Sequence, residues 1–137
     1  MKPLSRYGKI YEDAKPVLSK IKNMGYNLAV LTNTPWGCPS SIWKRELEKH
    51  DIAQFIDTTV CCYDAGWRKP DPRVFHHLLE KMGEAPENCI FIGDDPRWDV
   101  EGPRAVGMKT LLLDRSGTKE NSIQNLNEVI NYLRKNN

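Results

Sequence analysis

No stretch of this sequence stays apolar for the roughly 20 residues that a bilayer-spanning helix needs, so a membrane protein is not expected. Six of the first 25 residues are Lys or Arg, but Glu12 and Asp13 interrupt them and no apolar run follows; a secretory leader is not expected either. A surplus of one charge is also lacking. Twenty Lys+Arg face 18 Asp+Glu, and the net +2 offers no basic surface for nucleic acid or for anionic lipid. Cysteine is sparse: Cys38, Cys61, Cys62 and Cys89 form neither a disulfide framework nor a C-x-x-C pair. The three histidines, His50, His76 and His77, are not spaced with them for zinc. Four reduced, mostly buried thiols are expected, in a cytoplasmic protein. Internal repeats, low-complexity tracts and linker-like stretches are missing too, and 137 residues suit a single domain, 1–137.

What is present is an alternation of two periods. Ala14, Val17, Leu18, Ile21 and Met24 recur at three- and four-residue steps, an apolar helix stripe that Gly25 stops. Residues 27–33 read as a buried parallel strand delivering Thr32 and Asn33 to its carboxyl end. A helix opening at Ser40 or Ser41 is expected to run to about His50, with Ile42, Trp43 and Leu47 on one face. Residues 58–62 and 88–92 read as strands, separated by a helix carrying Val74, Phe75, Leu78, Leu79 and Met82. A short helix from Val100 to Val106, a strand over 109–113 and a C-terminal helix over 121–135, using Ile123, Leu126, Val129, Ile130 and Leu133, complete the chain. Strands alternating with helices predict an α/β fold whose mainly parallel sheet is covered on both faces. Ligands of such sheets bind beyond the carboxyl ends of the strands. The loops there hold five of the nine prolines and three of the four tryptophans, Trp36, Trp67 and Trp98. These tryptophans either pack their loop bases or form an aromatic rim for a substrate or partner.

Three segments stand at those ends. Thr32-Asn33-Thr34 offers a hydroxyl and an amide that can hold a phosphate oxygen, or merely cap a turn. In Gly66-Trp67-Arg68-Lys69-Pro70-Asp71-Pro72, prolines hold Lys69 as a fixed point charge for an anion; the alternative is a solvated lysine where a helix starts. In Gly93-Asp94-Asp95-Pro96-Arg97-Trp98-Asp99, carboxylates crowd one loop and repel one another unless a cation or donors neutralise them. Capping accounts for one of these aspartates, whereas oxygen-only ligands suit Mg²⁺.

Together and in this order, the segments resemble the haloacid dehalogenase (HAD) superfamily of phosphohydrolases, over residues 11 to about 115. Thr32-Asn33 looks like its second motif, Lys69 with the following Pro-Asp-Pro like its third, and Asp94-x-x-x-x-Asp99 like its fourth. The resemblance implies a three-layer Rossmann-like core. It assigns Thr32, Asn33 and Lys69 to the phosphoryl group of a small phosphorylated metabolite. Asp94 and Asp99, with Asp95 as an alternative, go to Mg²⁺, and Asp99 would orient a metal-bound water or Lys69.

The family's first motif, a strand ending in Asp-x-Asp-x-Thr whose first Asp is the nucleophile, does not occur in these 137 residues. Asp13 is the only upstream candidate, and with no apolar strand before it an N-cap role is the expectation. The family's helical cap domain is missing too. The motif I strand would lie mid-sheet, between the strands ending at Thr32 and Ile92. Without it, three outcomes are open: the strands close up, the N-terminal segment 2–10 fills the gap, or a second chain (a homodimer partner or another polypeptide) supplies a strand. Segment 2–10 is polar and broken by Pro and Gly, a poor central strand. The expected function is a Mg²⁺-dependent phosphatase, truncated or split and inactive or weakly active alone; the alternative is a non-catalytic phosphate- or Mg²⁺-binding or interaction protein.

Overall fold

The apolar stripe of the first helix sets one layer. In the computed structural model, which describes residues 5–6, 9–10, 13–32, 45, 48–49 and 51–135, helix α1 spans Ala14–Asn23 and buries Ala14, Val17 and Ile21. Gly25 follows at φ +95°, a conformation that a side chain would disfavour. Strand β3 (Ala29–Thr32) then sends alternate residues to opposite faces. Val30 joins the core formed by α1 and the last helix, α5 (Asn127–Lys135), while Leu31 joins the opposite core around α3 (Pro72–Met82). Two cores on two faces make the three-layer α/β arrangement.

The sheet comes in two parts. β3 pairs in parallel with β4 (Thr58–Cys61), Ala29 opposite Thr58 and Thr32 opposite Cys61. β5 (Ile90–Gly93), β6 (Lys109–Leu113) and β7 (Ser122–Ile123) form a second parallel set, with Ile90 opposite Lys109 and Leu113 opposite Ile123. Among the described residues no ladder joins β3 to β5. The two short N-terminal strands, β1 (Ser5–Arg6) and β2 (Lys9–Ile10), pair antiparallel with each other. Of the outcomes foreseen for the missing central strand, closure of β3 onto β5 is therefore not what the described residues adopt, and β1 and β2 join neither edge.

Three local expectations change. Ile123 lies in β7 rather than in the last helix, which begins at Asn127, because its carbonyl accepts the Asp114 N–H (2.8 Å) and it pairs with Leu113. The helix expected from Val100 starts earlier, as a π-helical turn over Pro96–Glu101 followed by α4 (Gly102–Ala105). Asp13 occupies the N-cap position of α1, yet its carboxylate does not cap it. It accepts from Arg115 Nη1 and Nη2 (3.1 and 3.0 Å) and from the Leu126 N–H (2.8 Å), tying α1 to the end of β6 and the approach to α5. The expected helix over 40–50 lies largely outside the described residues, of which Arg45, Glu48 and Lys49 are helical.

Burial pushes the Asp13 pKa up, but the Arg115 hydrogen bond, the Leu126 N–H and the Arg115 charge outweigh it, and the net shift is downward from 3.8. A carboxyl depressed in the folded state contributes stability that is present above its unfolded pKa and is lost as pH falls through and below about 4. Thermal melts between pH 7 and pH 3 should therefore show Asp13→Asn less stable than the parent at neutral pH, with the difference shrinking in acid. A constant difference across that range would contradict this role.

Candidate active site

The carboxyl end of β3 places Thr32 in the interior, 5% exposed and opposite Cys61 across the ladder. Asn33, Trp36, Cys38 and Trp43 lie outside the described residues. After β4, the short helix α2 (Cys62–Ala65) ends at Gly66 with φ +87°, and the chain turns to present Lys69. Cys61, Cys62 and Cys89 are buried. Burial pushes the Cys62 thiol up, and its contacts with Lys69 pull in the opposite direction.

Asp71 and Pro72 explain why this loop stops where it does. The Asp71 carboxylate accepts the Arg73 N–H (2.9 Å) as the N-cap of α3, and Pro72 fills the first helical turn without sacrificing a hydrogen bond. The Arg73 side chain hydrogen-bonds the same carboxylate and holds its pKa down to about 2. Upstream of that anchor, Lys69 is turned inward. Its Nζ donates to Asp99 Oδ1 at 2.6 Å, with side chains 1% and 2% exposed respectively. The ammonium also lies 5.7 Å from the ring centroid of Phe91, which packs edge-on against Phe75.

β5 delivers the acidic loop, and its three carboxylates separate into distinct roles. Asp95 caps the π-helical turn: its Oδ1 accepts the N–H groups of Arg97 (2.9 Å) and Trp98 (2.8 Å). Asp99 points back into the interior, its second oxygen accepting the Asp95 N–H (3.1 Å) while the first holds Lys69. Asp94 stays exposed at the end of β5. Gly93 makes the arrangement possible, since a Cβ there would overlap the Asp99 carboxyl group. The close approach of Asp99 to Gly93 and the Phe91 ring beneath Lys69 are features of the fold; in the sequence, a glycine ending an apolar strand is the signal for the former. Trp67 packs against the His77 ring edge and the Arg73 guanidinium, which supports the packing role, whereas Trp98 is 37% exposed beside the acidic loop.

Among the described residues, no group of three or more His, Cys, Asp or Glu is placed to hold a metal. The donors at the end of β5 are carboxylate oxygens: exposed Asp94 and the Asp95-bound oxygen of Asp99. That set fits Mg²⁺, which binds through one or two carboxylates and completes its shell with waters and phosphate.

The family model described as haloacid dehalogenase-like hydrolase matches residues 2–107 of this chain. The chain belongs to that family. A phosphatase of Mycobacterium tuberculosis is 32% identical over 120 residues, 87% of this chain and 54% of that protein. An (S)-2-haloacid dehalogenase of Burkholderia cepacia is 27% identical over 107 residues, 78% of this chain and 44% of that protein. The crystal structure of a HAD phosphatase from Thermococcus onnurineus matches with a TM-score of 0.82 at 25% identity, covering 91% of this chain and 58% of that one. The fold is thus the Rossmann-like HAD core, and the chain spans about half the length of the curated relatives it matches.

Proposed function

We propose that this HAD-like chain is the phosphate- and Mg²⁺-binding part of a phosphatase acting on a small phosphomonoester. The observation that carries the reading is the Lys69–Asp99 pair, buried at the end of β5 with Asp94 exposed beside it. An exposed carboxylate repels an anionic substrate, so a site of this composition needs a divalent cation before it can accept one, and a doubly charged phosphomonoester gains most from that cation. Asp94 and Asp99 would hold Mg²⁺, which supplies positive charge for the phosphoryl oxygens when bound.

The remaining work falls to the chain's own residues. Asp99 fixes the Lys69 ammonium in one position, and Lys69 neutralises phosphoryl charge; the Thr32 hydroxyl, with Asn33 beside it, donates to a phosphoryl oxygen. Asp95 holds the acidic loop in shape through its two backbone hydrogen bonds. The attacking carboxylate of such a reaction must come from outside these 137 residues, because no Asp-x-Asp-x-Thr occurs in them.

Titrating inorganic phosphate with Mg²⁺ while following amide NMR signals tests the reading without turnover. Signals of Thr32 and of residues 93–95 are expected to shift. Asp94→Asn should abolish the Mg²⁺ requirement, and Thr32→Val should weaken phosphate binding by about tenfold or more, the scale of a hydrogen bond to a charged group. Phosphate binding indifferent to Mg²⁺ and to both substitutions would overturn it.

A further inference from the structure

The buried lysine of the site rests on a run of packed rings that ends at a glycine. Phe91 lies 5.7 Å by its ring centroid from the Lys69 ammonium and stands edge-on to Phe75, with centroids 5.6 Å apart and ring planes at 86°. Phe75 is fully buried in the core around α3, where close packing leaves its ring little room to move. Against that ring stands Gly102, the first residue of α4. A Cβ built on Gly102 would come to 2.9 Å from Phe75 Cε2, 3.1 Å from Phe75 Cζ and 3.1 Å from Pro70 Cβ. Its backbone is ordinary helix (φ −58°, ψ −58°), a conformation in which alanine is the better residue. Space, and not backbone conformation, therefore calls for glycine here.

We propose that Gly102 is a positioning residue for Lys69: its missing side chain lets Phe75 and Pro70 pack close against α4, and that packing fixes where the ammonium sits. A lysine carries its charge on a flexible four-carbon stem. The 2.6 Å hydrogen bond to Asp99 Oδ1 sets one distance and leaves the approach of the stem open. Two further supports settle it, the backbone next to Pro70 and the Phe91 ring near the ammonium. Gly102 stands against both routes, at Pro70 directly and at Phe91 through Phe75. A methyl group there has no yielding neighbour, because Pro70 is a rigid ring and Phe75 is locked in the core. Displacing Pro70 shifts the Lys69 backbone, and displacing Phe75 shifts the ring near the ammonium. Small displacements matter because charge stabilisation depends on preorganised geometry. The position of Lys69 follows from packing alone; the consequence for phosphate rests on the phosphatase reading.

The test follows the NMR signal of the Lys69 ammonium in the full chain, where burial and the bond to Asp99 protect its protons from exchange with water. Gly102→Ala should shift that signal or speed its exchange until it is lost, and should weaken Mg²⁺-dependent binding of inorganic phosphate about tenfold. Phe75→Leu removes the ring that supports Phe91 without adding a clash, so it should move the signal too, and it serves if Gly102→Ala does not fold. Ala105→Gly takes a methyl group from an exposed position of the same helix; it weakens α4 but should leave the signal in place. A parent-like signal in folded Gly102→Ala or in Phe75→Leu would overturn the proposal. So would an equal change in Ala105→Gly, which would make the effect a general loosening of α4. Failure of the parent protein to bind phosphate would sink the phosphatase reading and leave the ammonium signal as an independent readout.

Discussion

Asp99→Ala is expected to destabilise the protein by about 3–5 kcal/mol, because it strands the Lys69 ammonium in the interior without its counter-charge. The two side chains are 1% and 2% exposed and share a 2.6 Å hydrogen bond, so solvent cannot take over the role of the missing carboxylate. The Phe91 ring at 5.7 Å offers a weak cation–π contact, which does not replace a full counter-charge. Lys69→Met combined with Asp99→Leu removes both charges and keeps the volume. That double variant is expected to recover most of the lost stability while failing to bind phosphate. Urea unfolding of the parent, the single variants and the double variant gives the coupling energy directly. A loss below about 1 kcal/mol for Asp99→Ala would mean that the pair behaves as a solvated surface bridge.

Gly93→Ala should have the second largest effect. Its methyl group would overlap the Asp99 carboxyl, so either the strand end or the carboxylate must move, at a cost of about 1–3 kcal/mol by the usual penalty for overpacking. Asp99 is held from both sides, by Lys69 and by the Asp95 N–H, and any shift loosens both bonds. Mg²⁺-dependent phosphate binding should therefore weaken about tenfold or more even where the protein remains folded, given what one charge-assisted hydrogen bond contributes. Unfolding curves and phosphate titrations on the same sample separate the two effects. Parent-like binding in a folded Gly93→Ala protein would show that the Asp99 position tolerates displacement.

How far such features were legible in the sequence depended on how local their causes are. α3 was legible because Asp71, Pro72 and the apolar stripe through Leu79 all act within one helix. β3, β4, β5 and β6 were legible as short apolar or β-branched runs. β7 was not: two residues carry no period, and Ile123 continues the spacing of Leu126 and Ile130, so only its pairing with Leu113 reveals the strand. The π-helical turn over Pro96–Glu101 was hidden for a related reason, since capping by Asp95 and the engagement of Asp99 with a lysine 30 residues earlier both shape it. The same holds for Asp13, whose partners stand 102 and 113 residues away. The crowding of acidic residues after β5 was visible in the sequence; their division into a cap, a buried counter-ion and an exposed carboxylate required the fold.

Binding of inorganic phosphate to the 137-residue chain, measured by calorimetry with and without Mg²⁺, tests the phosphatase reading most directly. Binding should require Mg²⁺ in the parent protein and should be lost when Lys69→Met is combined with Asp99→Leu. Equal binding with and without Mg²⁺, or parent-like binding in the folded double variant, would contradict the reading.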